Sequence, residues 1–139
     1  MTSDPTCVFC KIVAGAIPSF KLLEDVGTLA FMDINPANDG HCLVIPKAHF
    51  PTVYTVTPEA FAAVSGSIIK VASAVNKTLA PDGLNLLQAN GPGAGQSVFH
   101  FHVHVLPRRR DDGLSINWVP KPGDLKRIAE VAERIRKAL

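Results

Sequence analysis

Apolar runs separated by turn residues divide the chain into short extended segments. Such runs, rich in Val, Ile, Leu and Phe, predict five strands, at residues 21–24, 28–33, 41–46, 84–88 and 99–106. The first two strands flank Asp25-Val26-Gly27, whose composition suits a hairpin turn. The run at 41–46 is almost wholly apolar, which is typical of a central strand.

Three further segments have helical signals. Thr57-Pro58-Glu59 supplies a cap, a first-turn proline and an acidic residue, and it opens a helix that continues to about residue 80. A short helix is predicted over 7–14, and a last one over about 122–139. The positions expected on buried helix faces are Phe61, Val64, Ile68, Val71 and Val75 in the long helix and Leu125, Ile128, Val131 and Ile135 in the last. Because strands outnumber helices and short loops join most of them, we expect an α+β fold with an antiparallel sheet.

Length and composition indicate one soluble domain, which we place at residues 1–139. Hydrophobic residues make up 47% of the chain and charged residues 19%, a balance that supports a buried core. The net charge of +2 permits anionic small molecules and does not indicate nucleic acid. We find no apolar run of membrane-spanning length and no signal peptide in Met1–Pro5. We therefore expect a cytoplasmic protein without a membrane partner, whose three cysteines are thiols or metal ligands.

Candidate chemistry is concentrated in one motif, residues 95–107. His100, His102 and His104 occupy alternate positions, so on a strand their side chains share one face at intervals of roughly 6.6 Å. The apolar residues expected on the opposite face are Phe99, Phe101, Val103 and Val105. Imidazole acts as nucleophile, acid, base, donor or metal ligand near neutral pH. The preceding loop contains three glycines, a proline and Ser97, a composition that can turn backbone N–H groups toward an anion.

This motif resembles that of the histidine triad (HIT) superfamily of nucleotide hydrolases and transferases. Residues 7–13 and 30–49 resemble two other HIT segments, so the likeness covers about Cys7 to Pro107. The galactose-1-phosphate uridylyltransferase branch carries His-Pro-His-Pro, which this chain lacks, and the bacterial HIT/Hint-like branch is the nearer one. The resemblance implies a HIT-like fold, with an antiparallel sheet of about five strands, one long central helix, a short amino-terminal helix and a carboxy-terminal helical extension at about 122–139.

The resemblance also assigns roles in catalysis. His102 resembles the nucleophile that attacks the α-phosphorus and becomes a nucleotidyl-histidine, and His100 completes the triad. His104 resembles the donor to the α-phosphate oxygens, and Ser97 the donor to the departing bridging oxygen. Gln96 and the amide of Gly95 are expected along the phosphates.

The nucleotide contacts follow in the same way. Asp33 resembles the carboxylate that accepts hydrogen bonds from the ribose hydroxyls. The residues that correspond to the base pocket are Val8, Phe9, Ile12, Phe31, Met32 and Ile34. One position departs from the family, because Ala89 stands where relatives often have Asn or Gln. Either Asn90 replaces that contact or the contact is absent.

Four residues match a metal site of some family members. The resemblance implies structural zinc held by Cys7, Cys10, His49 and His100, a normal closed set of two thiolates and two imidazoles. The alternative is that both thiols pack within the short helix while His100 hydrogen-bonds a neighbour such as His41. Cys42 is expected to be a buried apolar residue.

Three functions remain open at this point. The leading one is hydrolysis or nucleotidyl transfer on a nucleoside phosphoramidate or dinucleoside polyphosphate, with a purine nucleotide substrate and an AMP-like product. A zinc-dependent hydrolase with its metal on the triad is the second, and the lack of acidic residues between Gly83 and Arg110 counts against it. The third is a nucleotide-binding or interaction module with little turnover. The resemblance also implies a homodimer formed through the helix from Thr57 and the strand at 84–87.

Overall fold

In the computed structural model, which describes residues 2–139, a five-stranded antiparallel sheet positions the functional segments. The strands lie in the order β1-β2-β3-β5-β4. Along the chain the elements are α1 (Val8–Val13), β1 (Lys21–Glu24), β2 (Thr28–Met32), β3 (Cys42–Pro46), α2 (Pro58–Leu79), β4 (Gly83–Leu87), a 3₁₀ turn (Pro92–Ala94), β5 (Val103–Arg108) and α3 (Leu125–Arg136). The predicted α+β class with its antiparallel sheet is confirmed.

The sheet has two apolar faces because its central strands alternate their side chains between two helices. The face toward α2 packs against Val64, Val71 and Val75, and its own residues include Ala30, Cys42, Val44, Phe101, Val103 and Val105. The face toward α1 packs against Phe9 and Ile12, and its own residues are Leu29, Phe31, Leu43 and Ile45. Strand β3 is buried along its whole length, as its apolar run predicted. The α1 face also carries the triad histidines, so the site forms there.

Helix α2 begins where its capping residues predicted. Thr57 is the N-cap, its hydroxyl accepts from the amide of Ala60 at 3.2 Å, and Pro58 opens the first turn. By length and composition alone α2 is apolar enough to cross a membrane, so the expectation that no segment has this property is wrong. Its contacts with β1, β2, β3 and β5 are those of a helix packed on a sheet.

The triad strand starts later than predicted. Strand β5 begins at Val103, because residues 98–100 form a bend and the amide of Phe101 donates to the carbonyl of Phe50 outside the sheet. Side-chain alternation nevertheless persists, with Phe101, Val103 and Val105 buried toward α2 and the histidines on the opposite face. Phe99 is the exception to the prediction, since the bend leaves it half exposed.

The last helix also differs from the prediction. Asp124 caps α3, but Leu125, Ile128 and Ile135 are 80%, 54% and 57% exposed, and only Val131 and Ala132 are partly covered. The largely exposed segment 115–124 separates α3 from the sheet, so the apolar stripe meets no core surface. In the single chain this stripe is exposed, so the prediction that it faces inward is wrong.

Candidate active site

A cleft of about 470 Å³ opens on the α1 face of the sheet, and this volume suits a small ligand. The end of β2, helix α1 and the triad segment form its walls. The predicted site residues that line it are Val8, Phe9, Ile12, Phe31, Met32, Asp33, Ile34, Ser97, His102 and His104. The lining residues that the sequence did not predict are Ile17, Pro18, Ser19, Asn35, Leu43 and Val98. The mostly apolar walls suit a planar base, and Asp33, Ser97, His102 and His104 add polar groups.

His102 is held in one tautomer. Its Nδ1 lies 2.6 Å from the carbonyl oxygen of His100, and because a carbonyl only accepts, Nδ1 carries the hydrogen. In the neutral ring the lone pair is therefore on Nε2. Burial lowers the pKa of His102, more than the His100 carbonyl and Asp33 raise it, which favours the neutral nucleophilic form. The rings of Phe9 and His102 pack perpendicular to each other, at a centroid distance of 5.2 Å.

His104 is held in the opposite tautomer by a chain of hydrogen bonds. The amide of Ala37 donates to Nδ1 of His41 at 3.0 Å, so the hydrogen of the neutral His41 ring is on Nε2. That Nε2 donates to Nδ1 of His104 at 2.8 Å, which leaves His104 with an Nε2–H donor. Burial lowers the pKa of His41 and brings the pKa of His104 to about 4, so both rings are neutral at pH 7. A backbone amide thus determines which hydrogen His104 presents.

Asp33 lines the cleft and directly follows β2. Its Oδ1 accepts from the amide of Asn35 at 2.8 Å, and its Oδ2 lies 3.6 Å from Nε2 of His41. The side chain is 18% exposed, so the carboxylate remains accessible from the cleft. Asp33 therefore has acceptor capacity for hydroxyl groups beside the apolar wall.

A second cluster lies behind the triad, where α1 meets the end of β3. Nδ1 of His100 is 3.5 Å from Sγ of Cys7 and 3.6 Å from Sγ of Cys10, and Nδ1 of His49 is 3.4 Å from Sγ of Cys10. His100 donates from Nε2 to the carbonyl of Pro46 at 2.8 Å, so its Nδ1 faces the thiols as a lone pair. Tetrahedral zinc with ordinary Zn–S and Zn–N bonds separates S and N ligand atoms by about 3.5 Å. All four ligand atoms lie within 4.8 Å of one another, and this donor set fits zinc.

The triad does not form a single metal cage. His100 directs its lone pair to the cysteines, and His102 directs Nδ1–H to a carbonyl. Asp33, His41 and His104 form another group of possible ligands. However, two nitrogens on one zinc are separated by about 3.3 Å at ordinary bond lengths, so the 2.8 Å between His41 and His104 is a hydrogen bond. The alternative in which His100 bonds His41 is wrong, because His41 bonds His104.

The chain matches the HIT domain family model over residues 14–111. Among curated proteins, Protein hit of Bacillus subtilis is 45% identical over 93% of this chain and 94% of that protein. The chain belongs to the HIT family. Adenosine 5'-monophosphoramidase hnt1 of Schizosaccharomyces pombe is 39% identical over 94% of this chain and 96% of its own length. Adenylylsulfatase HINT3 of Arabidopsis thaliana is 44% identical over 81% of this chain and 57% of its own length.

Solved structures of HIT proteins show the same fold. A HIT family protein from Bacillus anthracis superposes with a TM-score of 0.91 at 36% identity and covers 99% of both chains. A Zn-bound histidine triad family protein from Mycobacterium smegmatis superposes with a TM-score of 0.75 at 37% identity, over 96% of this chain and 98% of that chain. The HIT-like fold predicted from the motif is confirmed.

Gln96 and the amide of Gly95, which HIT resemblance placed along the phosphates, have protein partners in this structure, and so does Asn90, the alternative to the contact missing at Ala89. Gln96 is buried, accepts from the amide of Gly91 and donates to the carbonyls of Pro51 and Val98. Asn90 accepts from the amide of Val53 at 2.7 Å and exchanges hydrogen bonds with Gln88. The amide of Gly95 donates to the carbonyl of Pro92 within the 3₁₀ turn. The side chains of Gln96 and Asn90 therefore stabilise the loop. Ser97 is exposed, and it is the predicted phosphate-loop residue that lines the cleft.

Proposed function

We propose that the protein hydrolyses nucleoside 5'-phosphoramidates and releases the nucleoside monophosphate, by attack of His102 on the α-phosphorus. The observation that carries this proposal is the hydrogen bond from Nδ1 of His102 to the His100 carbonyl. It directs the Nε2 lone pair outward from a ring that burial keeps neutral, in the cleft that also contains Asp33, Ser97 and His104. A neutral imidazole attacks phosphorus without prior removal of a proton.

The substrate class follows from the relatives and the cleft together. The names of the Schizosaccharomyces and Arabidopsis relatives share an adenosine 5'-monophosphoryl group and differ in the leaving group, an amine or sulfate. In this chain the wall formed by Phe9, Ile12 and Phe31 suits the flat apolar faces of a purine, and Asp33 suits two ribose hydroxyls. Adenosine 5'-phosphoramidate is the simplest compound with all of these parts.

The reaction has two steps. Nε2 of His102 forms a bond to the α-phosphorus while the bond from phosphorus to the leaving amine breaks, and the amine takes up a proton from solvent. The phosphorylated ring carries a positive charge, which the His100 carbonyl stabilises through the existing Nδ1–H bond. His104 donates Nε2–H to a non-bridging oxygen, and Ser97 donates to the leaving atom. Water then attacks the same phosphorus and releases a proton to solvent, and the ring leaves as neutral imidazole.

A direct assay tests this function. The purified protein is incubated with adenosine 5'-phosphoramidate, diadenosine triphosphate and diadenosine tetraphosphate, and AMP release is followed. We expect the phosphoramidate to be turned over fastest and a radiolabelled adenylyl group to be trapped on His102 by rapid quench at alkaline pH, where the bond between phosphorus and histidine survives. Absence of turnover of all three compounds would contradict the proposal and favour a binding module.

We also propose that zinc occupies the cluster of Cys7, Cys10, His49 and His100 in a structural role. A full set of four protein ligands leaves no coordination position for an activated water. When bound, zinc supplies a cross-link between α1, the segment after β3 and the triad segment. His100 then serves twice, since its ring is a ligand while its carbonyl orients His102.

A further inference from the structure

Outside the cleft, the carboxylate of Asp112 accepts more hydrogen bonds than any group in the proposed mechanism. Arg108 donates to it twice, from Nε at 2.7 Å and from Nη2 at 3.0 Å. The amides of Arg109 and Leu114 each donate at 3.0 Å. The side chain is only 5% exposed, and its partners saturate both oxygens.

The fifth donor comes from a distant part of the chain. Nδ2 of Asn38 donates to Oδ2 of Asp112 at 2.9 Å and also to the carbonyl of Pro107 at 2.9 Å. Asn38 lies in the loop of residues 33–41 that joins β2 to β3. Asp112 therefore ties this loop to the end of β5, although the two segments are 74 residues apart.

The same loop controls the tautomer of His104. Its Asn38 carbonyl accepts from the amide of His41 at 3.1 Å, and its Ala37 amide donates to the His41 ring. His41 in turn donates to His104, which lies on β5 four residues before Arg108. A continuous series of hydrogen bonds thus runs from Asp112 through Asn38 to His41 and His104.

We propose that Asp112 is a positioning residue for the reaction, which acts through Asn38 to hold the loop that fixes His41 and thereby the Nε2–H donor of His104. This inference rests on the proposed function, because His104 is taken to donate to the phosphate. The alternative is that Asp112 only stabilises the position of the carboxy-terminal segment. That purely structural role predicts that substituting Asp112 lowers stability alone. A positioning role also predicts a change in the His41 tautomer and in turnover.

Two single variants and their combination test the proposal. Asp112→Asn removes the charge and places amide hydrogens against existing donors, and Asn38→Ala removes only the link to the loop. With adenosine 5'-phosphoramidate we expect each to lower kcat by about tenfold or more, with a smaller change in KM, because small displacements of a donor weaken transition-state contacts. The double variant is expected to lose little more than Asn38→Ala, since that change already removes the bonds from Asn38 to both Asp112 and the Pro107 carbonyl. Asn38→Ala also keeps the Arg108–Asp112 pair, so it reports on the loop if Asp112→Asn does not fold.

Asp82→Asn is the matched control. Asp82 accepts from the amide of Arg110 at 3.0 Å in the same carboxy-terminal segment, and no hydrogen bond to residues 33–41 is present in the described part of the chain. We expect it to leave kcat within about twofold of wild type. Equal kcat in Asp112→Asn and Asp82→Asn, or fully additive losses in the double variant, would overturn the proposal.

A measurement on the ring separates this inference from the proposed function. Long-range ¹⁵N–¹H spectra of the wild type should show His41 protonated on Nε2 alone. Asp112→Asn and Asn38→Ala should shift the His41 ring nitrogens or mix the two tautomers, while Asp82→Asn should not. If the wild type turned over no phosphoramidate but these shifts appeared, the proposed function would fail and the positioning network would stand. Unchanged His41 signals in both loop-directed variants would overturn the network whatever the activity.

Discussion

His102 donates the hydrogen on its Nδ1 to the backbone carbonyl of His100 over 2.6 Å. The bond joins two residues of one motif, and their side chains have different proposed roles. The His100 ring turns toward Cys7 and Cys10, while its carbonyl sets the tautomer of the neighbouring nucleophile. An apolar residue at position 100 would keep the carbonyl and lose the ring, so the two functions of His100 are separable by experiment.

Replacing the proposed nucleophile should abolish turnover and spare binding. We expect His102→Ala to lower kcat on adenosine 5'-phosphoramidate by about a thousandfold or more, because the covalent route is lost. AMP affinity should change little, since the apolar wall and Asp33 remain. Steady-state kinetics and calorimetric titration with AMP measure the two effects. Activity within tenfold of wild type would remove His102 from the nucleophile role.

Removing the thiols should separate metal binding from chemistry. Cys7→Ser with Cys10→Ser should eliminate bound zinc and lower the melting temperature, because metal binding is coupled to folding. Turnover should persist at low temperature, since attack by His102 uses no metal. Cys42→Ala is the matched control, because Cys42 is fully buried on the opposite face of the sheet and should leave the zinc content unchanged.

Metal analysis and kinetics together decide this point. If folded, zinc-free protein were inactive and zinc alone restored turnover, the metal would be catalytic and the assigned mechanism wrong.

The local part of the fold could be predicted from the sequence because it depends on short-range patterns. Strand β1 has its predicted bounds, β2 and β3 differ by one residue at an end, and α2 begins after its predicted cap. Asp33 and the apolar wall of the cleft follow from those strands and from α1. HIT resemblance had assigned them to the nucleotide, and the cleft contains them as that resemblance implied.

The hydrogen-bond network could not be predicted in the same way. His41 reaches His104 because β3 lies beside β5, with Leu43 opposite His104, and these strands are not consecutive in the chain. HIT resemblance placed Gln96 along the phosphates and offered Asn90 as a replacement for the contact missing at Ala89. In the structure Gln96 donates to the carbonyl of Pro51 and Asn90 accepts from the amide of Val53. The stripe of α3 has helical periodicity, and periodicity alone does not show which surface covers it.

Acid should destabilise the protein through its buried imidazoles. The pKa of His104 falls from 6.5 to about 4 and that of His41 also falls, both chiefly through burial. Between these values the unfolded chain binds more protons than the folded one, so this stability is complete above pH 6.5 and is lost as the pH falls toward 4. Melting temperatures at several pH values between 7 and 4 measure the loss, and His104→Gln should show a shallower decline. Parallel curves for wild type and variant would contradict this assignment, because acid release of zinc affects both equally.

A homodimer is expected to form through the free edge of the sheet. Strand β4 ends the strand order, and Leu86 on it and Ile69 on α2 are 52% and 71% exposed. Together they line one apolar groove with Phe61 and Val53, which a two-fold copy of the same surface would cover. Sedimentation at micromolar concentration should therefore give twice the chain mass of 14.9 kDa.

Leu86→Lys with Ile69→Lys should shift the protein to monomer, because two charges would be buried without partners. Val26→Lys is the control, since Val26 is 90% exposed at the opposite edge, in the turn between β1 and β2, and should leave the dimer intact. A wild type that sediments only as a monomer would show that this groove is not covered by a second copy.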